Sequence, residues 1–143
     1  MTDKLVKVKT SSVLRETARH PDVQRKYDEF RKNLSDKYGD DIPCVFCDQV
    51  KDRIIIEENS NIIVCENDYP YEFFDGRKVV RHLMIIPRRH LALMADFSED
   101  EVLAYWGLLS KYSKNGASSM TRSAIDKARS VPKHLHTHLL FYA

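Results

Sequence analysis

Two periodicities divide this chain, and the switches between them mark its elements. From Val13 the spacing is helical. Val23, Tyr27, Phe30 and Leu34 recur at i, i+4, i+7 and i+11, Pro21 suits a first helical position, and Gly39 a stop after Tyr38. Residues 1–12, rich in Lys, Thr and Ser, read as a loosely held arm. Two β-rich runs follow, Arg53-Ile54-Ile55-Ile56-Glu57 and Ile62-Ile63-Val64-Cys65, and the polar Glu58-Asn59-Ser60-Asn61 between them predicts a hairpin. Asn67-Asp68-Tyr69-Pro70-Tyr71 ends the second run, and a polar loop around Asp75-Gly76-Arg77 leads to a buried strand over Val79–Pro87. Ser98-Glu99-Asp100-Glu101 has the form of a capping box. It opens a helix whose apolar face is read as Val102, Leu103, Trp106 and Leu109 and whose end falls near Asn115-Gly116. A strand from about Ser118 to Ser123 and a loop over 124–133 lead to His134-Leu135-His136-Thr137-His138-Leu139-Leu140. There the period is two, so the three histidines share one strand face and Leu135, Thr137 and Leu139 the other. The order of elements predicts an antiparallel α+β domain.

At 143 residues, 43% hydrophobic and 31% charged, the chain has the composition of one ordinary globular domain. It has no apolar run of the roughly 18 residues that would span a membrane. Met1–Lys9 lacks the apolar centre of a secretion signal, so the expectation is a cytoplasmic protein with no membrane partner. The net charge of +2 comes from 23 basic and 21 acidic residues mixed along the chain, which predicts no specific nucleic-acid partner. An anionic ligand must therefore be held locally.

Histidine and cysteine supply the candidate chemistry. Imidazole titrates near neutrality and serves as nucleophile, proton carrier or metal ligand, and alternation along a strand suits either catalysis or zinc. Cys44-Val45-Phe46-Cys47 has the spacing of a metal knuckle or a redox pair, and a reducing compartment favours the metal. Cys65 is read as simply buried.

Together these residues are similar to the histidine-triad (HIT) superfamily. His134 to Leu140 resembles its signature, His-φ-His-φ-His-φ-φ with φ hydrophobic, with Thr137 as a departure. Cys44-x-x-Cys47, the hairpin, Asn67 to Pro70, and His82-Leu83-Met84-Ile85-Ile86-Pro87-Arg88-Arg89-His90 stand in the order of the zinc-bearing branch that includes the galactose-1-phosphate uridylyltransferases. The resemblance covers about residues 41–143, leaving residues 1–40 as an N-terminal arm and helix. It implies a HIT-like antiparallel sheet of about five strands with packed helices, assembled as a homodimer.

The implied activity is a nucleotide hydrolase or nucleotidyltransferase. His136 would attack the α-phosphorus of a nucleotide conjugate, a dinucleoside polyphosphate or a nucleoside phosphoramidate, and form a covalent nucleotidyl-imidazole that water or another acceptor displaces. His138 would hydrogen-bond a phosphoryl oxygen or the leaving group. The alternatives are a nucleotidyltransferase to a phosphorylated acceptor and a nucleotide-binding adaptor with little turnover. By the same resemblance Cys44, Cys47, His90 and His134 would hold a structural zinc with no open position. Asn67 is the implied ribose contact, with an ordinary turn residue as the other reading, and His82 would support the site from behind. The Gly-Gln-Ser/Thr segment that most relatives carry before the triad is absent, and residues 126–133 read Asp-Lys-Ala-Arg-Ser-Val-Pro-Lys. Ser130 is the expected remnant of its hydroxyl. Arg122, Lys127, Arg129 and Lys133 make a cationic loop that would clamp a polyphosphate, with a solvated basic loop as the other reading for Lys127 and Arg129.

Overall fold

A computed structural model describes residues 17–48 and 52–143; the expected arm and the helical start at Val13 lie outside the described residues. Helix α1 is Pro21–Tyr38. Pro21 and Asp22 suit its first turn, the His20 ring accepts from the Asp22 amide at 3.2 Å, and Gly39 at φ 61° ends it. None of its residues is buried outright. Its apolar stripe instead lays Tyr27 and Phe30 against Tyr69, with ring centroids 5.1 and 5.4 Å apart.

After the one-turn helix α2, Val45–Asp48, come β1, Ile55–Glu58, and β2, Ile62–Glu66, the expected hairpin. Asn59 shapes its turn, the side-chain oxygen accepting from the amides of Asn61 and Ile62 at 2.8 Å. The short strand β3, Phe73–Phe74, pairs with the start of β4, Arg77–Pro87. Asp75 and Gly76 join them with φ of 51° and 68°, so the polar loop read here is a two-residue hairpin turn with both residues left-handed. A short 3₁₀ turn at Met94–Asp96 precedes α3, Glu99–Lys114. Strands β5, Ser118–Met120, and β6, Thr137–Tyr142, complete the sheet.

The sheet has six antiparallel strands rather than about five, in the order β1-β2-β4-β6-β5, with β3 added to β4. β2, β6 and the part of β4 from His82 onward are covered on both faces, which is why they read as apolar runs. On one face Ile62, Val64, Leu83, Ile85 and Leu139 pack against Tyr105, Leu108 and Tyr112 of α3. On the other Phe46, Ile63, Cys65, Met84 and Ile86 form a smaller cluster under the cysteine knuckle. Among the described residues no helix is long and apolar enough to cross a membrane.

The capping box is present in both halves, with Ser98 Oγ accepting from the Glu101 amide at 3.3 Å and Glu101 accepting from the Ser98 amide at 3.0 Å. The buried face of the helix corrects the expectation. Val102, Leu103 and Trp106 are 48, 71 and 69% exposed, and Glu101, Tyr105, Leu108 and Tyr112 face the sheet instead. The reason is hydrogen bonding. Tyr105 meets the Thr137 hydroxyl and Tyr112 donates to Glu57, so polar tips that argue against burial in the sequence are satisfied inside.

Candidate active site and metal centre

Strand parity builds the site. β6 pairs with β4 so that His138 faces Met84 and Leu140 faces His82, and since side chains two apart share a face, His82 and His138 emerge together. Regular pairing begins only at Thr137, but the extended approach keeps the alternation, and His134, His136 and His138 are all buried. The Thr137 departure has a partner set on the opposite face, where its hydroxyl meets those of Tyr105 and, at 2.6 Å, Thr121.

Hydrogen bonds fix which nitrogens carry protons. His136 Nδ1–H donates to the His134 carbonyl at 3.0 Å, leaving its Nε2 lone pair free. The Tyr71 amide donates to His82 Nδ1 at 3.1 Å, so the His82 proton sits on Nε2 and points at His138 Nδ1, 2.8 Å away. His138 then carries its own proton on Nε2. Burial first, then neighbouring cations, holds these rings neutral: His136 is pushed down to about 4, His82 to about 3, and His138 well below the ordinary value. Neutral imidazole with an assigned tautomer is what a nucleophile beside a hydrogen-bond donor requires.

At the other end of the same run, four expected ligands converge. The donor atoms of Cys44, Cys47, His90 and His134 lie within 4.8 Å of one another. His134 Nδ1 stands 3.3 Å from Cys44 Sγ, 3.5 Å from Cys47 Sγ and 3.2 Å from His90 Nδ1, which is 3.3 Å from Cys47 Sγ. Zinc bonds of about 2.0–2.3 Å in a tetrahedron separate donors by roughly 3.4–3.8 Å, close to this cluster. Desolvation and the adjacent Cys44 sulfur push the Cys47 thiol up to about 11, so a cation is needed to deprotonate it. His134 Nε2–H donates to the Pro87 carbonyl at 2.8 Å, which aims Nδ1 at the cluster. The donor set fits a structural zinc site that joins the knuckle, the end of β4 and the approach to β6. Cys65 is buried, and burial raises its thiol to about 11.

A cavity of about 740 Å³ opens over His136 and His138. Asn67, Ser130 and Lys133 line it. Asn67 is already engaged, its Oδ1 accepting from the Tyr69 amide at 2.8 Å and its Nδ2 lying 3.3 Å from His82 Nε2. Arg122 does not line the cavity; it is half-buried and 3.7 Å from Asp126. Lys127 is exposed, while Arg129 is buried, donating to the Ala92 carbonyl at 3.1 Å, with Nε and Nη1 unpartnered among the described residues. Arg129 is therefore not a solvated loop cation. The structure also brings in residues that the signature does not mark. Arg19, Tyr27 and Arg31, from α1 and the segment before it, line one wall, and Arg53, Phe46 and Tyr71 line others. The helical stripe of Tyr27 and Phe30 was the available signal for the first wall; nothing local marks Arg53.

Comparison with known proteins agrees with this architecture. A HIT family hydrolase from Legionella pneumophila Philadelphia 1 is 23% identical with a TM-score of 0.51, the match covering 68% of this chain and 91% of that one. A HIT family hydrolase from Clostridium thermocellum is 23% identical with a TM-score of 0.52, covering 68% and 89%. A zinc-bound histidine triad family protein from Mycobacterium smegmatis is 21% identical with a TM-score of 0.52, covering 70% and 75%. No curated protein matches the sequence. These likenesses show a histidine-triad fold, and the match of residues 3–141 to a family model shows that the chain belongs to the family described as a protein of unknown function, DUF3605.

Proposed function

We propose that this protein transfers the nucleoside monophosphate of a nucleotide conjugate through a covalent nucleotidyl-His136 intermediate, with water as the acceptor. The observation that supports it most is the His136 tautomer, locked by the His134 carbonyl so that Nε2 is free at a cavity of about 740 Å³. In the first step Nε2 attacks the α-phosphorus and the bond from phosphorus to the leaving group breaks. The leaving group keeps that electron pair and accepts a hydrogen bond from His138 Nε2–H, with solvent supplying any proton it takes up. His82 resupplies the hydrogen bond that keeps His138 in the donating tautomer. Water then attacks the same phosphorus, the bond from phosphorus to His136 Nε2 breaks with its electron pair returning to the ring, and the water proton passes to solvent as the nucleoside monophosphate is released. The zinc site would hold the knuckle and β6 together and take no part in bond making, because four protein donors leave no open position.

Substrate candidates are dinucleoside polyphosphates and nucleoside phosphoramidates, and Asn67 is the proposed ribose contact. The test is release of AMP from diadenosine tetraphosphate and adenosine phosphoramidate, with a trapped nucleotidyl adduct that His136→Ala abolishes. Wild-type protein that turns over no conjugate would overturn the enzymatic reading. It would leave the adaptor reading, which the pre-triad loop favours because only Ser130 and Lys133 among the expected loop donors reach the cavity. A transferase would show faster adduct discharge to a phosphorylated acceptor than to water, which would also settle any kinship with the uridylyltransferase branch.

We further propose a homodimer, supported by the exposed Val102, Leu103 and Trp106 on α3. Light scattering should give twice the chain mass, and Trp106→Glu should return a monomer; a wild-type monomer at micromolar concentration would count against it.

A further inference from the structure

We propose that Arg19 and Arg53 form the anion clamp of this cavity, Arg53 on the phosphate at His136 and Arg19 on the departing side of the conjugate, so that the substrate is one whose leaving group itself carries phosphate. The inference rests on the nucleotidyl-transfer reading and names its substrate class. The cationic loop before the triad was the expected clamp, yet of its four cations only Lys133 lines the cavity. Arg19 and Arg53 stand at the histidines instead, from parts of the chain outside the signature.

Arg53 has an incomplete partner set. Its side chain is 8% exposed, its one ion pair is Nη1 to Asp68 Oδ2 at 3.3 Å, and its Nε has no hydrogen-bond partner among the described residues. A buried donor without a partner is costly, and a phosphate oxygen is the acceptor that a guanidinium fork suits best. The guanidinium lies 4.9 Å over the Phe46 ring, and that ring is 5.0 Å from His136. Arg53 therefore serves the His136 end of the cavity.

Arg19 serves the other end. Its Nε donates to the Tyr69 carbonyl at 2.8 Å, and its guanidinium sits 4.2 Å over Tyr27 and 4.9 Å over Tyr71. The Tyr71 ring stacks 4.8 Å from His82 and lies 5.9 Å from His138. Both arginines are thus tied to successive residues of one turn, Asp68 and Tyr69, and one stands at each end of the catalytic pair. A phosphate bound at His136 has Arg53 beside it, and the group leaving toward His138 meets Arg19. A neutral amine leaving there would make no use of that charge, whereas a phosphate would.

The experiment compares kcat/KM for diadenosine tetraphosphate and adenosine phosphoramidate in wild type, Arg19→Gln and Arg53→Gln, with Arg19→Lys and Arg53→Lys as charge-retaining variants. The clamp predicts that Arg19→Gln loses about tenfold or more on the polyphosphate and less than about threefold on the phosphoramidate, with lysine restoring part of the difference. Arg53→Gln, beside the phosphate that both substrates share, should cost both alike, with Arg53→Lys restoring part of the loss. Equal losses on both substrates in Arg19→Gln, or lysine no better than glutamine at either position, would overturn the clamp and leave the arginines as supports of the turn. Binding separates this result from the fate of the enzymatic reading. In a His136→Ala background, calorimetry should show diadenosine tetraphosphate binding about tenfold or more tighter than AMP, and Arg19→Gln should erase that margin. No margin would sink the clamp whatever the turnover. A margin in a protein without turnover would keep the clamp and remove the enzyme.

Discussion

At the scale of single residues, the polar atoms decide the site. Thr137 interrupts the hydrophobic positions of the signature because the α3 face of β6 carries a buried hydroxyl chain, Tyr105 to Thr137 to Thr121. Thr137→Val would restore the consensus pattern and remove the middle hydroxyl. It should destabilise the protein by about 1–2 kcal/mol in urea melts, because Tyr105 and Thr121 lose a shared partner, and adding Tyr105→Phe should recover part of that loss. A neutral or stabilising Thr137→Val would show that the chain contributes nothing. That His134, His136 and His138 share one face was legible from alternation alone, since parity needs no partner strand. Their protonation was not, because it depends on the carbonyls of Pro87 and His134 and on His82, which only pairing brings within reach.

At the scale of elements, β1 is held to α3 through Glu57. Lys111 Nζ donates to its carboxylate at 2.8 and 2.9 Å, and Tyr112 donates to the same group. The Lys111 bond first, then the Tyr112 hydroxyl, keeps the Glu57 carboxyl below its ordinary value of 4.5. A carboxyl with a depressed folded pKa stabilises above its unfolded value, and that stability is lost as pH falls through the folded one. Denaturation midpoints followed from pH 7 downward should therefore drop more steeply below about pH 4.5 in wild type than in Glu57→Gln. Parallel acid limbs would rule out the contribution. The element boundaries were readable where a terminus has its own local chemistry, as at Pro21, Gly39, Ser98 and Gly116. The buried face of α3 was not, because hydropathy counts Tyr105 and Tyr112 as amphipathic and Trp106 as apolar without knowing which side holds Thr137 and Glu57.

At the scale of the molecule, the cysteine–histidine cluster joins segments that are far apart in sequence: the knuckle at Cys44 and Cys47, the turn after β4 at His90, and the histidine run at His134. Metal should therefore act on global stability and on the geometry of His136 together. About one zinc per chain is expected, and its removal by a chelator or by Cys44→Ser should lower the melting temperature by roughly 10 °C. Metal-free protein with an unchanged melt would take zinc out of the account. The same cavity draws on α1 and its preceding segment, Arg53 ahead of β1, the turn after β2 and the loop before β6, so its specificity is a property of the assembled chain.

Sequence alone determined the α+β class, the hairpin and the helix ends, and its resemblance to the histidine-triad signature named the four candidate metal ligands and the candidate nucleophile. Each of these follows from local periodicity, from capping chemistry, or from a signature whose spacing encodes strand parity. Tertiary structure alone decided which cations face the histidines. Arg19 and Arg53 are 34 residues apart and unremarkable in their own segments, and both become part of the site because Asp68 and Tyr69 capture them at one turn. Arg122 and Arg129 sit near the signature in sequence yet do not line the cavity: Arg122 lies 3.7 Å from Asp126, and one nitrogen of the buried Arg129 donates to the Ala92 carbonyl. Which side of a fold a long cationic side chain reaches is set by the partner that desolvates it, and that partner is chosen only when the chain closes.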